Sequence, residues 1–246
     1  MSMNRMFATS LGLVILSLTA SAQNAPALLA VARVQVKPDR LGEFMDVEKQ
    51  YTTAYKKGGG TLRAVYRSAV GNPFEFLVIA AVPNYAAFDG KSPYAKGTTE
   101  TELTRMAARR DQCIDGVRTT YERPMNDLSF NTPGAPQPAR VAVVRVVVRP
   151  EMGPQFMATV KEELVPAMKK AGQSSFLARR VEWGGSQNIF SFRSPVGKFA
   201  DLDGDNPLVK GLGREAAAKL GTKLASMGNA EFFIYNYMPE LSLQQQ

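Results

Sequence analysis

The sequence predicts an α+β fold built from two tandem βαββαβ repeats within one chain. The first observation is a duplicated stretch, since Arg33–Pro38 (RVQVKP) returns as Arg145–Pro150 (RVVVRP), a step of 112 residues from Pro38 to Pro150. The second is that the match continues in register, with further pairs at Phe44/Phe156, Met45/Met157, Gly60/Gly172, Arg67/Arg179 and Pro83/Pro195. Self-similarity at a fixed step indicates that a duplication governs the fold.

The first strand of each repeat has two different faces. In residues 28–36, Ala32, Val34 and Val36 form a purely apolar face, whereas Arg33 and Gln35 lie on the opposite, mixed face. The second repeat has the same alternation. A strand with this pattern places its apolar face under helices. The mixed face must therefore pack against another part of the structure.

The remaining elements follow in the same order in both repeats. Lys37-Pro38-Asp39 ends the strand and begins a helix, because proline and an acidic residue suit a first helical turn. A hairpin, a second helix and a last strand come next. The predicted segments are 62–70, 74–82, 99–113 and 117–123 in the first repeat, and 176–183, 188–193, 214–227 and 231–238 in the second. This order is the ferredoxin-like unit, which carries both helices on one sheet face.

Four regions are predicted along the chain. Residues 1–22 have a basic start, a short apolar run and Ala20-Ser21-Ala22, which is typical of a cleaved signal peptide. The run is too short to span a bilayer. We therefore expect a periplasmic or extracellular protein, without membrane contact after cleavage, that begins at Gln23. Repeat 1 covers 28–128, a Pro-rich linker 129–138 and repeat 2 139–243.

The mixed sheet faces predict how the repeats pack. A partly apolar face is rarely left to water, so the two sheets should cover each other as a pseudo-dimer within one chain. Whether further copies associate stays open. With the junctions Lys37-Pro38-Asp39 and Arg149-Pro150-Glu151, the arrangement resembles the dimeric α+β barrel superfamily, including its antibiotic-biosynthesis monooxygenase-like and NIPSNAP-like members. The resemblance implies an intrachain α+β barrel with a pocket inside it or under its helices.

Composition excludes several kinds of chemistry. The chain contains no histidine, which removes Ser-His and Cys-His nucleophiles and the haem ligand of the haem-dependent barrels. Asp201-x-Asp203-Gly204-Asp205 begins like a calcium loop, but Leu212 stands where that loop needs glutamate. No metal and no cofactor are expected. The net charge of +8 is spread along the chain, so we expect no nucleic-acid partner.

Arg33 and Arg145 are the main candidate ligand-binding residues. Both lie on the mixed faces, related by the pseudo-twofold axis, and two guanidinium groups there require an anionic partner. They form either a receptor for a carboxylate or enolate, or structural ion pairs. The repeated pair Arg67 and Arg179 either joins the same pocket or lies exposed on an edge strand, and the edge is favoured.

Polar side chains in the strands are the secondary candidates. Tyr66, Tyr121 and Tyr235 could line a pocket and hydrogen-bond a ligand, and Asn188 would need a partner if buried. The alternative for each is ordinary core packing.

Three functions remain open from the sequence. The first is binding of a small, partly apolar and perhaps anionic molecule between or beneath the sheets. The second, implied by the resemblance, is a cofactor-independent oxygenase or isomerase that uses Tyr, Asn and Arg. The third is a non-catalytic structural or interaction module.

Overall fold

The computed structural model describes residues 26–243, so the predicted signal peptide lies outside the described residues. Repeat 1 contains β1 (Leu28–Val36), α1 (Leu41–Lys57), β2 (Arg63–Ser68), β3 (Glu75–Val82), α2 (Pro93–Lys96), α3 (Glu100–Cys113) and β4 (Ile114–Pro124). A short strand β5 (Phe130–Asn131) follows. Repeat 2 contains β6 (Arg140–Val148), α4 (Gly153–Thr159), α5 (Val165–Lys170), β7 (Ser175–Trp183), β8 (Ile189–Pro195), α6 (Pro207–Leu212), α7 (Arg214–Ala225) and β9 (Gly228–Tyr237).

The apolar face of β1 is covered by helices, as its alternation predicts. Val34 and Val36 are fully buried and pack with Phe44 of α1 and Phe76 of β3. In repeat 2, Val146 and Val148 belong to the corresponding cluster with Phe156 of α4. None of the helices in the described residues is both long and apolar enough to cross a membrane.

The two sheets join edge to edge into one closed barrel. The strand order is β4-β1-β3-β2-β9-β6-β8-β7, and the pairing of β4 with β7 closes the circle. All pairings in this circle are antiparallel. The α+β barrel formed within one chain is therefore confirmed.

The barrel is closed at one end and open at the other. The two seams between the repeats begin pairing only at Tyr121 of β4 and Tyr235 of β9. The earlier parts of both strands pair on one side only, with β1 and β6, and their side chains are largely exposed. At the opposite end, Gln137 of the linker donates a hydrogen bond of 3.1 Å to the buried Tyr66 hydroxyl.

A π-helical turn makes the helix of repeat 2 longer by one residue. α1 has 17 residues, whereas α4, a π-helical turn (Val160–Leu164) and α5 have 7, 5 and 6. The glycines that end these helices, both with positive φ, are Gly59 and Gly172, a step of 113. The step of 112 seen in the sequence therefore applies only up to this turn.

A buried ionic cluster lies under α1. Glu48 and Arg63 are 1% and 2% exposed and form an ion pair. Arg110 donates a second hydrogen bond, of 2.7 Å, to Glu48. At the equivalent positions repeat 2 has the buried residues Val160 and Phe176.

Candidate functional site

The open end of the barrel leads into a cavity of about 230 Å³. Its lining comes from both repeats and consists of inward-facing side chains of β1, β3, β4, β6, β7, β8 and β9. These are Val31, Arg33, Leu77, Arg118, Thr120, Glu122, Val143, Arg145, Arg179, Ser191 and Glu231. Arginine and glutamate surround a band of valine and leucine, so the cavity suits a small molecule with an apolar body and polar ends.

Arg33 and Arg145 both line this cavity, and each has one carboxylate neighbour. The Arg33 Nε atom lies 3.8 Å from Glu75 Oε1, and its guanidinium lies 4.5 Å from the Phe233 ring centre. Arg145 Nη1 lies 2.7 Å from Glu231 Oε2. The two arginines thus lie on the inner face of the barrel, as predicted. Each is paired with a carboxylate of the protein, which is the arrangement expected for structural ion pairs.

Arg118 adds a positive charge at the mouth of the cavity. It is opposite Arg33 in the β1–β4 ladder and is exposed. No ion pair joins it to any residue between 26 and 243. Because the other three arginines of the lining each have a glutamate, the charged groups around the cavity leave an excess of about one positive charge, which favours an anionic ligand.

Glu122 and Arg179 form a buried pair inside the cavity. The distance from Arg179 Nε to Glu122 Oε2 is 3.4 Å, and both side chains are more than nine-tenths buried. Glu122 Oε1 also accepts a hydrogen bond of 3.1 Å from Thr120. However, Glu122 Oε2 and Arg179 Nη1 have no hydrogen-bond partner within the described part of the chain. Such open groups require a further partner.

Residues related by the pseudo-twofold axis show why the cavity lies beside this pair. We call Thr120, Glu122, Arg179 and Ser191 the polar wall. The ladder registers make Phe233, Tyr235, Tyr66 and Leu77 their respective equivalents, which we call the aromatic wall. All four members of the polar wall line the cavity, but only Leu77 of the aromatic wall does. Large rings fill one half of the barrel, and small or charged groups leave the other half open.

The aromatic wall is packed and hydrogen-bonded. Tyr235 is fully buried and donates a hydrogen bond of 2.5 Å to Glu75. Burial and this hydrogen bond raise the pKa of Tyr235 well above its ordinary value. Tyr66 accepts hydrogen bonds from Gln137 and Arg193. Burial lowers the pKa of Arg193, and the charge of Arg179 lowers it further.

Two of the six candidate residues lie away from the cavity. Tyr121 is on the outer face of β4, beside Phe88 (5.1 Å between ring centres) and Trp183 (6.1 Å). Asn188 is in the turn before β8 rather than in the strand, and its carbonyl accepts a hydrogen bond from Val148. Tyr66 and Tyr235 are inside the barrel but in its filled half. The cavity therefore contains only Arg33 and Arg145 of the predicted set.

The expected pairing of Arg67 with Arg179 is wrong because of the extra residue in the π-helical turn. The equivalent of Arg67 is Arg180, since both donate to a turn carbonyl at 2.7 Å and both lie over a phenylalanine ring. Arg179, for which the exposed edge was favoured over the pocket, faces inward as the equivalent of Tyr66. A fixed step of 112 aligned Arg179 with the wrong residue of repeat 1.

Arg118 and Glu122 were also missed by the sequence reasoning. The signal available was the alternation Gly116, Arg118, Thr120, Glu122 in β4, where every second residue is polar or lacks a side chain. An inner barrel face with this pattern is not a packed core. Within the described residues no group of three His, Cys, Asp or Glu side chains could hold a metal ion.

Comparison with known proteins identifies solved structures that have the same fold. No family model and no curated protein sequence matches the chain. Among solved structures, a protein from Lactobacillus acidophilus NCFM provisionally named a monooxygenase aligns with TM-score 0.60 at 12% identity, over 89% of this chain and 96% of its own. The chain shares the α+β barrel fold of this structure, and both halves of its barrel are supplied by one polypeptide.

Two further structures have the same fold. One, from Fusobacterium nucleatum subsp. nucleatum ATCC 25586, is also provisionally named a monooxygenase (TM-score 0.61, 13% identity, 87% of this chain and 93% of that one). The other is an anthrone oxidase-like protein (TM-score 0.61, 9% identity, 86% and 92%). The α+β barrels related to this chain in structure thus include monooxygenase-like proteins, and at these identities the likeness shows the fold.

Proposed function

We propose that the protein binds a small acidic organic molecule in the barrel cavity and oxidises it with O2 as a cofactor-independent, monooxygenase-like enzyme. The observation that carries the proposal is the buried pair of Glu122 and Arg179, which line the cavity and each have one buried polar atom without a hydrogen-bond partner among residues 26–243. A carboxylate acts as a general base, and an adjacent guanidinium stabilises the anion that proton removal creates. The names of the structural neighbours support this class of reaction.

The cavity volume limits the substrate to one ring. An engineered apolar cavity of about 150 Å³ holds benzene, so 230 Å³ holds a single ring with small substituents. A three-ring anthrone exceeds this space. We therefore propose a phenol or enol of one ring as substrate.

The proposed step balances without a further reductant. A phenol transfers its proton to Glu122, and Arg179 pairs with the phenolate. O2 then forms a bond to a ring carbon that carries hydrogen, next to the oxygen-bearing carbon. Loss of water from this adduct leaves a quinone, so one phenol and one O2 give one quinone and one water. The apolar side chains Val31, Leu77 and Val143 exclude bulk water from the ring.

Oxygen uptake tests this proposal. With 3-hydroxybenzoate in metal-free buffer, we expect O2 consumption in step with quinone formation, and a loss of about 100-fold or more in Glu122→Gln, the usual contribution of a general base. Arg67→Gln, which changes an arginine on the outer face, is the control. Equal rates in wild type and Glu122→Gln would contradict the proposed role.

Binding without turnover is the second candidate. The observation that favours it is the size of the cavity, because a one-ring ligand leaves little of the 230 Å³ for O2. In the same experiment this function predicts binding heat for the phenols without any oxygen uptake.

We also propose that the protein acts outside the cytoplasm. The proposal rests on the signal-peptide pattern of residues 1–22. Mass spectrometry of the expressed protein should find a mature chain beginning at Gln23 in the exported fraction. An intact chain beginning at Met1 in the cytoplasmic fraction would contradict it.

A further inference from the structure

We infer that the cavity recognises a one-ring hydroxycarboxylate, held by its carboxylate at the mouth and by its hydroxyl group at the floor. This inference rests on the proposed use of the cavity as a binding site and names the class of molecule that fits it. Three features of the lining carry it. Arg118 at the mouth has no carboxylate partner among residues 26–243, valine and leucine side chains form an apolar band in the middle, and the incompletely hydrogen-bonded pair of Glu122 and Arg179 lies at the floor.

The mouth selects one negative charge. Arg33 and Arg145 are neutralised by Glu75 and Glu231, at 3.8 and 2.7 Å. Arg118 stands beside them without a carboxylate among residues 26–243. A monoanion placed here would pair with Arg118 and receive further attraction from Arg145. A dianion would exceed the charge that is available.

The floor selects a hydroxyl group and rejects a second carboxylate. Among residues 26–243, Arg179 Nη1 has no acceptor and Glu122 Oε2 has no hydrogen-bond donor, and both atoms are fully buried. A hydroxyl group that enters between these two side chains would satisfy both atoms at once, because it accepts from the guanidinium and donates to the carboxylate. A carboxylate at this position would donate nothing and would be repelled by Glu122.

The spacing suits one ring between these ends. Arg118 and Glu122 are four residues apart on the same face of β4, which places their Cα atoms about 13 Å apart at about 3.3 Å per residue. A ring with one polar group at each end would lie along this direction, between the two side chains. Val31, Leu77 and Val143 line the cavity between the polar ends and would contact the two faces of such a ring.

Calorimetry with three matched probes tests the inference. We use 4-hydroxybenzoate, benzoate, which lacks the hydroxyl group, and 4-methylphenol, which lacks the carboxylate. Removing one hydrogen bond to a charged group lowers affinity by about tenfold or more. We therefore expect both benzoate and 4-methylphenol to bind the wild type at least about tenfold more weakly than 4-hydroxybenzoate.

Two variants assign each contact to its end of the cavity. Arg118→Gln should weaken 4-hydroxybenzoate and benzoate but leave 4-methylphenol unchanged. Glu122→Gln should weaken 4-hydroxybenzoate and 4-methylphenol but leave benzoate unchanged. Arg118 is exposed and unpaired, so its replacement should not disturb folding, which circular dichroism checks. Arg67→Gln, with the same loss of charge on the outer face, should bind all three probes as the wild type does.

The outcomes separate this inference from the proposed function. Equal affinity for benzoate and 4-hydroxybenzoate, or no effect of Arg118→Gln, would overturn the inference and leave a cavity that binds other acidic molecules. Absence of binding by all three probes would also overturn it, while oxygen uptake with other phenols would still support the proposed function. Failure of both assays would overturn both.

Discussion

Two Glu–Arg pairs are buried in this protein, and they differ in how completely they are hydrogen-bonded. Glu48 and Arg63 lie under α1, with side chains 1% and 2% exposed. Glu122 and Arg179 lie on the polar wall, at 7% and 6%. Burial and charge are thus nearly the same in both pairs, so neither property distinguishes a structural pair from a binding site.

The first pair is fully satisfied. Arg63 donates to Glu48, to the Thr52 hydroxyl at 2.5 Å, to the Leu241 carbonyl at 2.8 Å and to the Tyr94 hydroxyl at 3.2 Å. The other oxygen of Glu48 accepts from Arg110. This network joins α1, β2, α2, α3 and the segment after β9. Within the described residues, neither Glu48 nor Arg63 has a buried side-chain polar atom without a hydrogen-bond partner.

The second pair is incomplete. Its one ionic contact joins Arg179 Nε to Glu122 Oε2 at 3.4 Å. One atom on each side chain has no hydrogen-bond partner among the described residues. It faces a cavity, whereas the first pair is enclosed by side chains and a carbonyl. The comparison teaches that hydrogen-bond accounting, rather than burial, separates the structural pair from the candidate site.

The largest expected effect is on the satisfied pair. Arg63→Met leaves Glu48 buried beside Arg110 alone and removes the donors to Thr52, Tyr94 and Leu241. Breaking such a buried pair costs about 3–5 kcal/mol of unfolding free energy, measured by urea denaturation. The exposed pair of Arg105 and Glu102 supplies the control, since Arg105→Met should leave the unfolding free energy nearly unchanged. A small loss of unfolding free energy in Arg63→Met would contradict the distinction between the two buried pairs.

The open pair should respond in the opposite direction when both charges are removed. In Glu122→Met with Arg179→Met, two incompletely bonded groups are replaced by apolar side chains of similar volume. Such replacements are neutral or stabilise by about 1–4 kcal/mol. Urea denaturation should show no loss of stability, while 4-hydroxybenzoate binding disappears. A large loss of stability would mean that this pair, like the first, is structural.

The pH dependence of stability should follow Glu48. Burial raises the pKa of this carboxyl, but the charges of Arg63 and Arg110 lower it more, so its pKa in the folded protein is below the ordinary value. Its stabilising contribution is therefore present above about pH 4.3, the ordinary glutamate value, and is lost as the pH falls through the folded pKa. Urea denaturation at decreasing pH should show a shallower decline in Glu48→Gln than in wild type. Parallel declines would contradict this assignment.

The smallest effect is expected on the aromatic wall. Tyr235→Phe removes one hydrogen bond to Glu75 and keeps the ring, so it should cost about 1 kcal/mol. Because the hydroxyl does not line the cavity, affinity for 4-hydroxybenzoate should stay unchanged in calorimetry. A marked loss of affinity would show that the aromatic wall belongs to the site.

Much of the fold could be predicted from the sequence, because its signals are local. The alternation in residues 28–36 gave the strand and its two faces, and Pro38 and Pro150 marked the helix starts. The duplication predicted that the two repeats pack together as a pseudo-dimer. The edge-to-edge closure through the seams depends on pairing between distant strands, which only the resemblance to α+β barrels implied.

The candidate site was predicted only in part, for two physical reasons. Arg33 and Arg145 were found because both precede the π-helical turn, where the repeat step is still 112. Arg179 follows that turn, so the fixed step aligned it with Arg67 instead of Tyr66. Glu122 carries only the polar alternation of β4 as a local signal, because its importance arises from a partner in the other repeat.

A crystal structure of the protein with 4-hydroxybenzoate tests the central claim most directly. The account predicts the ring between Val31, Leu77 and Val143, its carboxylate at Arg118 and its hydroxyl group within hydrogen-bond distance of both Glu122 Oε2 and Arg179 Nη1. The contradicting result is a cavity that contains only water hydrogen-bonded to these two atoms, with the ligand absent or bound elsewhere.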